Sequence, residues 1–419
     1  MGNIIKKILG GVLVKKILLI IFLTFTFIPS VVSAAPNDNL KAAFVRNDHL
    51  WLKIKEKEMK ITDSGYIRYP KWSFDGSWIA YLKSAKEGDA FDLWTYNVKN
   101  NKHYKVQENV SDNFQWSPNE NKIGFQVVKN LFILHMGQLG QFIPVAKNIE
   151  NFSWLPTGNG LLISTKKSPK LNSDIILSKV ILRKNEKPKI NRFYTIKVNK
   201  DEMLVSTSPF YWSNDKMWIS FLLVPTASLS ADGNTLSVLS ANGKAFHRID
   251  EMLNEEAWFQ WAPFKSLLGY ISGTGREATI SKKLKTLNAT TLENSMYTPT
   301  GFVDRDLTWQ NNQTLYVSRS KESSEGSLDK RPLPILYKIS LSDNRQTQVT
   351  APLKNFGDFK PQVVNNNLFW IRNDRKNAHV LVSPTYQMEE KIWIKNINTG
   401  GSYYEKWSWD EVFSLYTGR

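Results

Sequence analysis

Carboxylates recur at one register of this sequence. Just upstream of successive Trp-centred strings stand Asp112, Glu150, Glu255 and Glu256, Asp304 and Asp306, and Asp358, with Arg68 and Arg305 in the same register. Crowded carboxylates repel unless a cation or a hydrogen-bond donor joins them. Such a cluster would take Ca²⁺, which prefers oxygen ligands, or a basic peptide segment. Paired carboxylates could instead perform acid–base work, and Asp304, Asp306, Asp358 and Glu256 are the first candidates for it. The bland alternative is that these acids cap turns and pair with nearby Lys and Arg.

Other chemistries find little support. The chain has no Cys, which removes thiolate chemistry and disulfides. No Gly-x-Ser-x-Gly string marks a nucleophile elbow. His49, His103, His135, His247 and His379 are scattered, without the His-Glu-x-x-His spacing of a zinc site.

The elements that must position these residues are repeats. Lys71-Trp72-Ser73-Phe-Asp75-Gly76 followed by Ile79-Ala-Tyr81 returns at Trp116, Trp154, Trp212, Trp261 and Trp309, and in a worn copy at Phe359. A period of roughly 40–50 residues built of short strands signals a propeller. Each repeat parses as four alternating strands, as in Lys71–Ser73, Trp78–Lys83, Asp92–Val98 and Tyr104–Val106. Trp on the inner strand fills the wedge between neighbours, and Gly76 permits a positive φ in the turn that follows. Trp72, Asp75, Gly76, Trp116, Trp154, Trp212, Trp261 and Trp309 are therefore read as structural. Lys321 to Pro334 is expected to be a long loop, and 372–391 an insertion.

The segment 40–61 supplies three strands that lack an inner partner. Lys406-Trp407-Ser408-Trp409-Asp410 matches the first motif and is expected to complete that blade. The expected fold is thus an all-β propeller of four-stranded antiparallel blades, closed by N- and C-terminal strands. The count is eight, or seven if the C-terminal segment only decorates the last repeat. Closure protects the edges that an open sheet exposes.

Residues 1–34 read as a signal peptide: Lys6, Lys7, Lys15 and Lys16, an apolar run from Ile17 to Ile28, then Val32-Ser33-Ala34. Residues 35–419 would then form one propeller domain, secreted or wall-associated in a Gram-positive bacterium. The chain carries 55 Lys+Arg and 38 Asp+Glu, and loss of the four leader lysines leaves 51 − 38 = +13. Basic residues gather on segments expected to form the rim: Lys53, Lys55, Lys57 and Lys60, Lys166 to Lys189, and Lys282, Lys283 and Lys285. An anionic wall polymer or membrane surface would suit such a rim. Nucleic acid is not an expected partner of an exported chain, and the oligomeric state leaves no trace in the sequence.

The Trp-Ser-x-Asp-Gly…Ile-Ala-Tyr string resembles the repeat of TolB-like β-propellers, over essentially all of residues 40–417. Related repeats occur in the propellers of prolyl-oligopeptidase-type enzymes. The resemblance implies a propeller, export and protein–protein contact, and it implies no reaction. On that basis the expected role is a non-enzymatic scaffold in the cell envelope that binds a protein or ligand, with no cofactor save Ca²⁺ at the channel. The alternative is a propeller enzyme of lyase or glycosidase type that uses carboxylates at the central channel.

Overall fold

The computed structural model describes residues 40–184 and 186–418. The leader expected at 1–34 lies outside the described residues. The described chain is nearly all β, with one four-residue helix at Ala227–Ser230. Its strands form eight antiparallel blades, each of four positions from the channel outwards. The innermost position of blade 5 is split between Leu204–Thr207 and Tyr211–Trp212.

Blade 1 is the composite one. Lys41–Arg46, His49–Ile54 and Lys57–Lys60 are completed on the channel side by Phe413–Leu415, with Ala42, Ala43 and Phe44 facing Leu415, Ser414 and Phe413. The expected ring closure is found, but Lys406–Asp410 is not its inner strand. Lys406–Trp407 pairs instead with Ser402–Tyr403 in a separate hairpin. The reason lies in the packing of two indoles. Trp407 and Trp409 stack on each other at 5.4 Å, and Phe359 of blade 8 sits 5.7 Å from Trp409. The 321–334 segment is a loop between strands, as expected. The 372–391 segment is not an insertion, because Ala378–Pro384 is the third strand of blade 8.

Blades 2 to 8 start at the channel with Tyr66–Trp72, Val110–Trp116, Ile149–Trp154, Leu204–Trp212, Phe259–Trp261, Phe302–Asn311 and Gly357–Val364. Side chains alternate along these strands. Each Trp turns into the interface between blades, and the residue before it turns to the channel. The indoles also form a girdle. Trp72, Trp116, Trp154, Trp261 and Trp309 donate to the carbonyls of Ser414, Lys71, Gln115, Tyr211 and Gln260 at 3.2, 2.9, 3.0, 3.0 and 2.9 Å. Each accepting carbonyl belongs to the preceding blade, so every such bond ties one blade to the last. Trp212 is the exception, since its buried indole nitrogen has no partner.

The turn after each Trp adds a second tie. Ser73 Oγ donates to Asp75 at 2.9 Å and accepts from Trp78 N at 3.0 Å, while Asn121 of blade 3 donates to Asp75 at 2.9 Å. Gly76 has φ +66°, and the Tyr416 ring lies 2.9 Å from where a Cβ would stand. Tyr416, the residue after the closing strand Phe413–Leu415, therefore covers the turn at Gly76.

Candidate functional site

The inner strands enclose a channel of 870 Å³, within the range of small-molecule sites. Two devices aim side chains into it. The first is alternation: Lys71, Gln115, Ser153, Tyr211, Gln260 and Thr308 each precede a Trp and all line the channel. The second is a set of β-bulges. The inner strands of blades 2, 7 and 8 slip register at Arg68/Lys71, Arg305/Leu307 and Phe359/Gln362. Within these slips Tyr69, Asp306 and Lys360 adopt φ of 54°, 48° and 45°. Left-handed conformations cost free energy for such residues and are held where they serve a site. All three face the channel.

The lining carries six carboxylates, Asp112, Glu255, Glu256, Asp306, Asp410 and Glu411, against three lysines, Lys71, Lys360 and Lys406. Five of the acids have partners. Lys406 reaches Glu255 at 3.4 Å, Tyr211 donates to Glu256, and Lys360 pairs with Asp410. Trp258 Nε1 and the Lys360 amide donate to Asp306 at 3.0 and 2.9 Å, and Tyr69 donates to Glu411 at 3.3 Å. The Asp112 carboxylate has no hydrogen bond or ion pair among the described residues.

Glu256 opens a short 3-10 turn, Glu256–Trp258, ahead of the inner strand of blade 6. Protein surrounds the channel on every side, so a group there is desolvated more than its surface exposure implies. Burial pushes the Glu256 carboxyl up to about 7, although the Tyr211 hydroxyl and the Lys71 ammonium favour its charged form. Burial likewise raises Glu255 and Asp306, lowers the Lys71 ammonium and lifts the Tyr211 hydroxyl well above its ordinary range. Glu256 can thus hold or release a proton near neutrality, which suits a general acid or base.

Blades 3 and 4 present amides to the channel, next to Asp112 on the inner strand of blade 3. Gln115 Nε2 donates to Asn113 at 2.8 Å and to the Phe152 carbonyl at 3.0 Å, Asn113 bonds Asn151, and Asn151 reaches the Thr207 carbonyl at 2.9 Å. Neutral donors and acceptors fixed in this way match hydroxyl groups.

Of the residues expected at the channel, Asp112, Glu255, Glu256 and Asp306 are there. Asp304 and Asp358 are not. Each is fully buried opposite an Arg on the second strand, Asp304 with Arg319 at 2.6 Å and Asp358 with Arg372 at 2.7 Å. The bulge that follows each of them inverts the alternation, so they point into the blade. Glu150 pairs with Lys129 at 2.6 Å, and Arg68 bonds Asp48 at 3.0 Å and stacks on Tyr66. Arg305 is buried and donates to the Glu405 carbonyl and to Ser320 Oγ at 3.2 and 3.0 Å. None of these five lines the channel. Among the described residues no group of three His, Asp or Glu side chains is placed to hold a metal ion. On the rim, Lys282 is fully buried; burial lowers its ammonium to about 8, although it donates to the carbonyls of Thr274, Gly275 and Ile280. Lys53 is buried against Glu58.

Sequence reasoning missed Tyr69, Lys71, Tyr211, Lys360, Lys406 and Asp410 as channel residues. A signal for two of them existed, since Lys71 and Tyr211 are the polar residues immediately before a Trp.

No family model matches the chain, and no curated protein matches it. Solved structures do match in fold. Puromycin hydrolase, in a mutant form complexed with PGG, aligns with TM-score 0.51 and 10% identity over 81% of this chain and 55% of that one. An oligogalacturonate lyase from Vibrio parahaemolyticus aligns with TM-score 0.47 and 12% identity over 83% of this chain and 97% of that one. A protein assigned as TolB from Agrobacterium tumefaciens gives TM-score 0.36 and 11% identity over 66% and 92%. The chain therefore spans about half the length of puromycin hydrolase. The likeness to puromycin hydrolase shows the fold alone, a β-propeller. It also corrects one expectation. The structure that aligns with TM-score 0.51 over 81% of this chain is that of an enzyme, puromycin hydrolase. The expected non-enzymatic scaffold is accordingly withdrawn.

Proposed function

We propose that the protein is a channel enzyme that cleaves glycosidic bonds in a neutral or amine-bearing carbohydrate chain. The observation that carries this reading is Glu256, a carboxyl poised near neutrality on the wall of a channel that it shares with an unpartnered carboxylate, Asp112, and a bank of fixed amides. Two carboxyl groups in unlike environments divide the acid and base roles. Protonated Glu256 gives its proton to the leaving glycosidic oxygen as the C–O bond breaks. Asp112 takes a proton from the water that attacks the sugar carbon. Lys71 lies close enough to stabilise the charge left on Glu256. Asn113, Gln115, Asn151 and Gln260 orient the sugar hydroxyls. The surplus of acids over lysines disfavours polyanionic chains inside the channel. The basic rim can still hold the protein near an anionic wall polymer, and the leader-like N-terminus fits work outside the cytoplasm.

The test is cleavage of linear oligosaccharides of glucosamine and N-acetylglucosamine, followed by new reducing ends. Wild-type protein should produce them, and Glu256→Gln should lose them by about two to four orders of magnitude, as for loss of a general acid. Full activity in Glu256→Gln would end the assignment. Unsaturated sugar products would replace hydrolysis with elimination in the same channel.

A further inference from the structure

The chain takes an unusual path between its last two strands. The outer strand of blade 8 ends at Ile397 and the closing strand begins at Phe413. Instead of joining them directly, residues 398–412 run back over the ring. The hairpin Ser402–Tyr403/Lys406–Trp407 turns through Tyr404 and Glu405, with φ of 50° and 65°. Its tip reaches blade 6, where Ala278 N donates to the Tyr404 carbonyl at 3.0 Å. Lys406 Nζ donates to the Asn254 carbonyl at 2.8 Å, two residues from Glu256. Glu405 is buried between Arg375 of blade 8, at 2.9 Å, and Arg305 of blade 7. The segment then returns past Lys360 and Tyr69 through Asp410 and Glu411. It contributes Lys406, Ser408, Asp410 and Glu411 to the channel lining.

From this geometry we infer that the strap is a fixed wall that restricts the channel to the end of a carbohydrate chain, so that cleavage proceeds from a terminus. The inference rests on the glycoside-cleaving reading of the same channel. For an internal bond to reach Glu256, a chain must cross the mouth from one side of the ring to the other. The strap runs from blade 6 past blades 7 and 8 to Tyr69 of blade 2, with Lys406 bonded to Glu255 next to Glu256. A chain entering from blades 3 to 5 meets Lys406 and Asp410 and stops. The anchoring is that of a wall: a buried carboxylate held by two guanidinium groups, a stacked pair of indoles and an ion pair to a bulge residue.

The experiment uses uniform glucosamine oligosaccharides labelled at the reducing end, with products sized over time. The wild-type chain should release short products of one size from the start. A ladder of internal products at early times would overturn the inference and leave the proposed function standing. No cleavage would remove both. Glu405→Gln, which strips the strap of its ion pairs, should raise internal cleavage by about tenfold, equivalent to about 1.4 kcal/mol. Unchanged products from a variant that still melts cooperatively would overturn the strap's role. A second variant covers the case in which Glu405→Gln does not fold. Ala278→Cys with Tyr404→Cys can lock the tip by a disulfide, which is clean in a chain without Cys. The locked form should cleave with the wild-type rate and product size. Loss of cleavage that reductant restores would show that the strap must open, and would refute a fixed wall.

Discussion

Replacing Glu256 by Gln should stabilise the protein, and only above the acid range. Burial moves this carboxyl from an ordinary 4.5 to about 7. Between those values the unfolded chain has released its proton while the folded chain still holds it. Stability from this group is therefore fully present below 4.5 and is lost as pH rises through 7. A displacement of that size corresponds to about 3 kcal/mol, which the water in the channel reduces to roughly 2 kcal/mol. Gln is neutral at every pH, nearly isosteric, and can still accept from Tyr211. At about 2.1 cal/mol/K per residue, roughly 380 folded residues give about 0.8 kcal/mol/K, so the gain is about 2–3 °C in Tm. The assay is paired melting of wild-type and variant protein at about pH 5 and about pH 8. The difference should be about a quarter of its full size, under one degree, at the lower pH and a few degrees in favour of the variant at the higher. An equal difference at both would show that Glu256 is an ordinary solvated carboxylate, and the acid–base argument would fall with it.

Further outcomes follow from the blades. Trp116→Phe should cost about 1 kcal/mol more than Trp212→Phe in denaturant unfolding, because only the Trp116 indole has a carbonyl to lose. Arg319→Ala should destabilise by about 3–5 kcal/mol by leaving Asp304 buried without its partner, and activity in the folded fraction should persist. Gly76→Ala should cost about 1–3 kcal/mol through its left-handed backbone and the Tyr416 ring, and the Tyr416→Ala background should return part of that loss while the φ cost remains.

The repeats made the architecture legible, because a Trp every 40–50 residues has a geometric cause. It must fill a wedge and reach the preceding blade. The eight-fold count and the shared first blade followed from the orphan strands at 40–61. The site was legible in part. Glu256, Asp112 and Asp306 line the channel on or just before an inner strand, and the sequence shows them upstream of a Trp. Asp304 and Asp358 occupy the same apparent register, yet a bulge turns them into the blade. Nothing in the types Tyr69, Asp306 and Lys360 announces a left-handed residue, so the bulges that aim them were invisible. Lys406 and Asp410 were hidden for another reason. Their string copies the inner-strand motif, while the stacking of Trp407 on Trp409 and Phe359 decides where it goes.

The clasp in blade 1 has a consequence for how the molecule is made. Lys41–Arg46 leaves the ribosome long before its inner partner, Phe413–Leu415. Until then the first blade carries a bare edge beside the channel, and the ring stays open. A product cut short anywhere before residue 413 would keep that edge for good, a target for proteolysis and for pairing with other chains. Phe413–Leu415 thus serves as a seal: a chain that has reached it covers the edge of Lys41–Arg46, and one cut short before it leaves that edge bare.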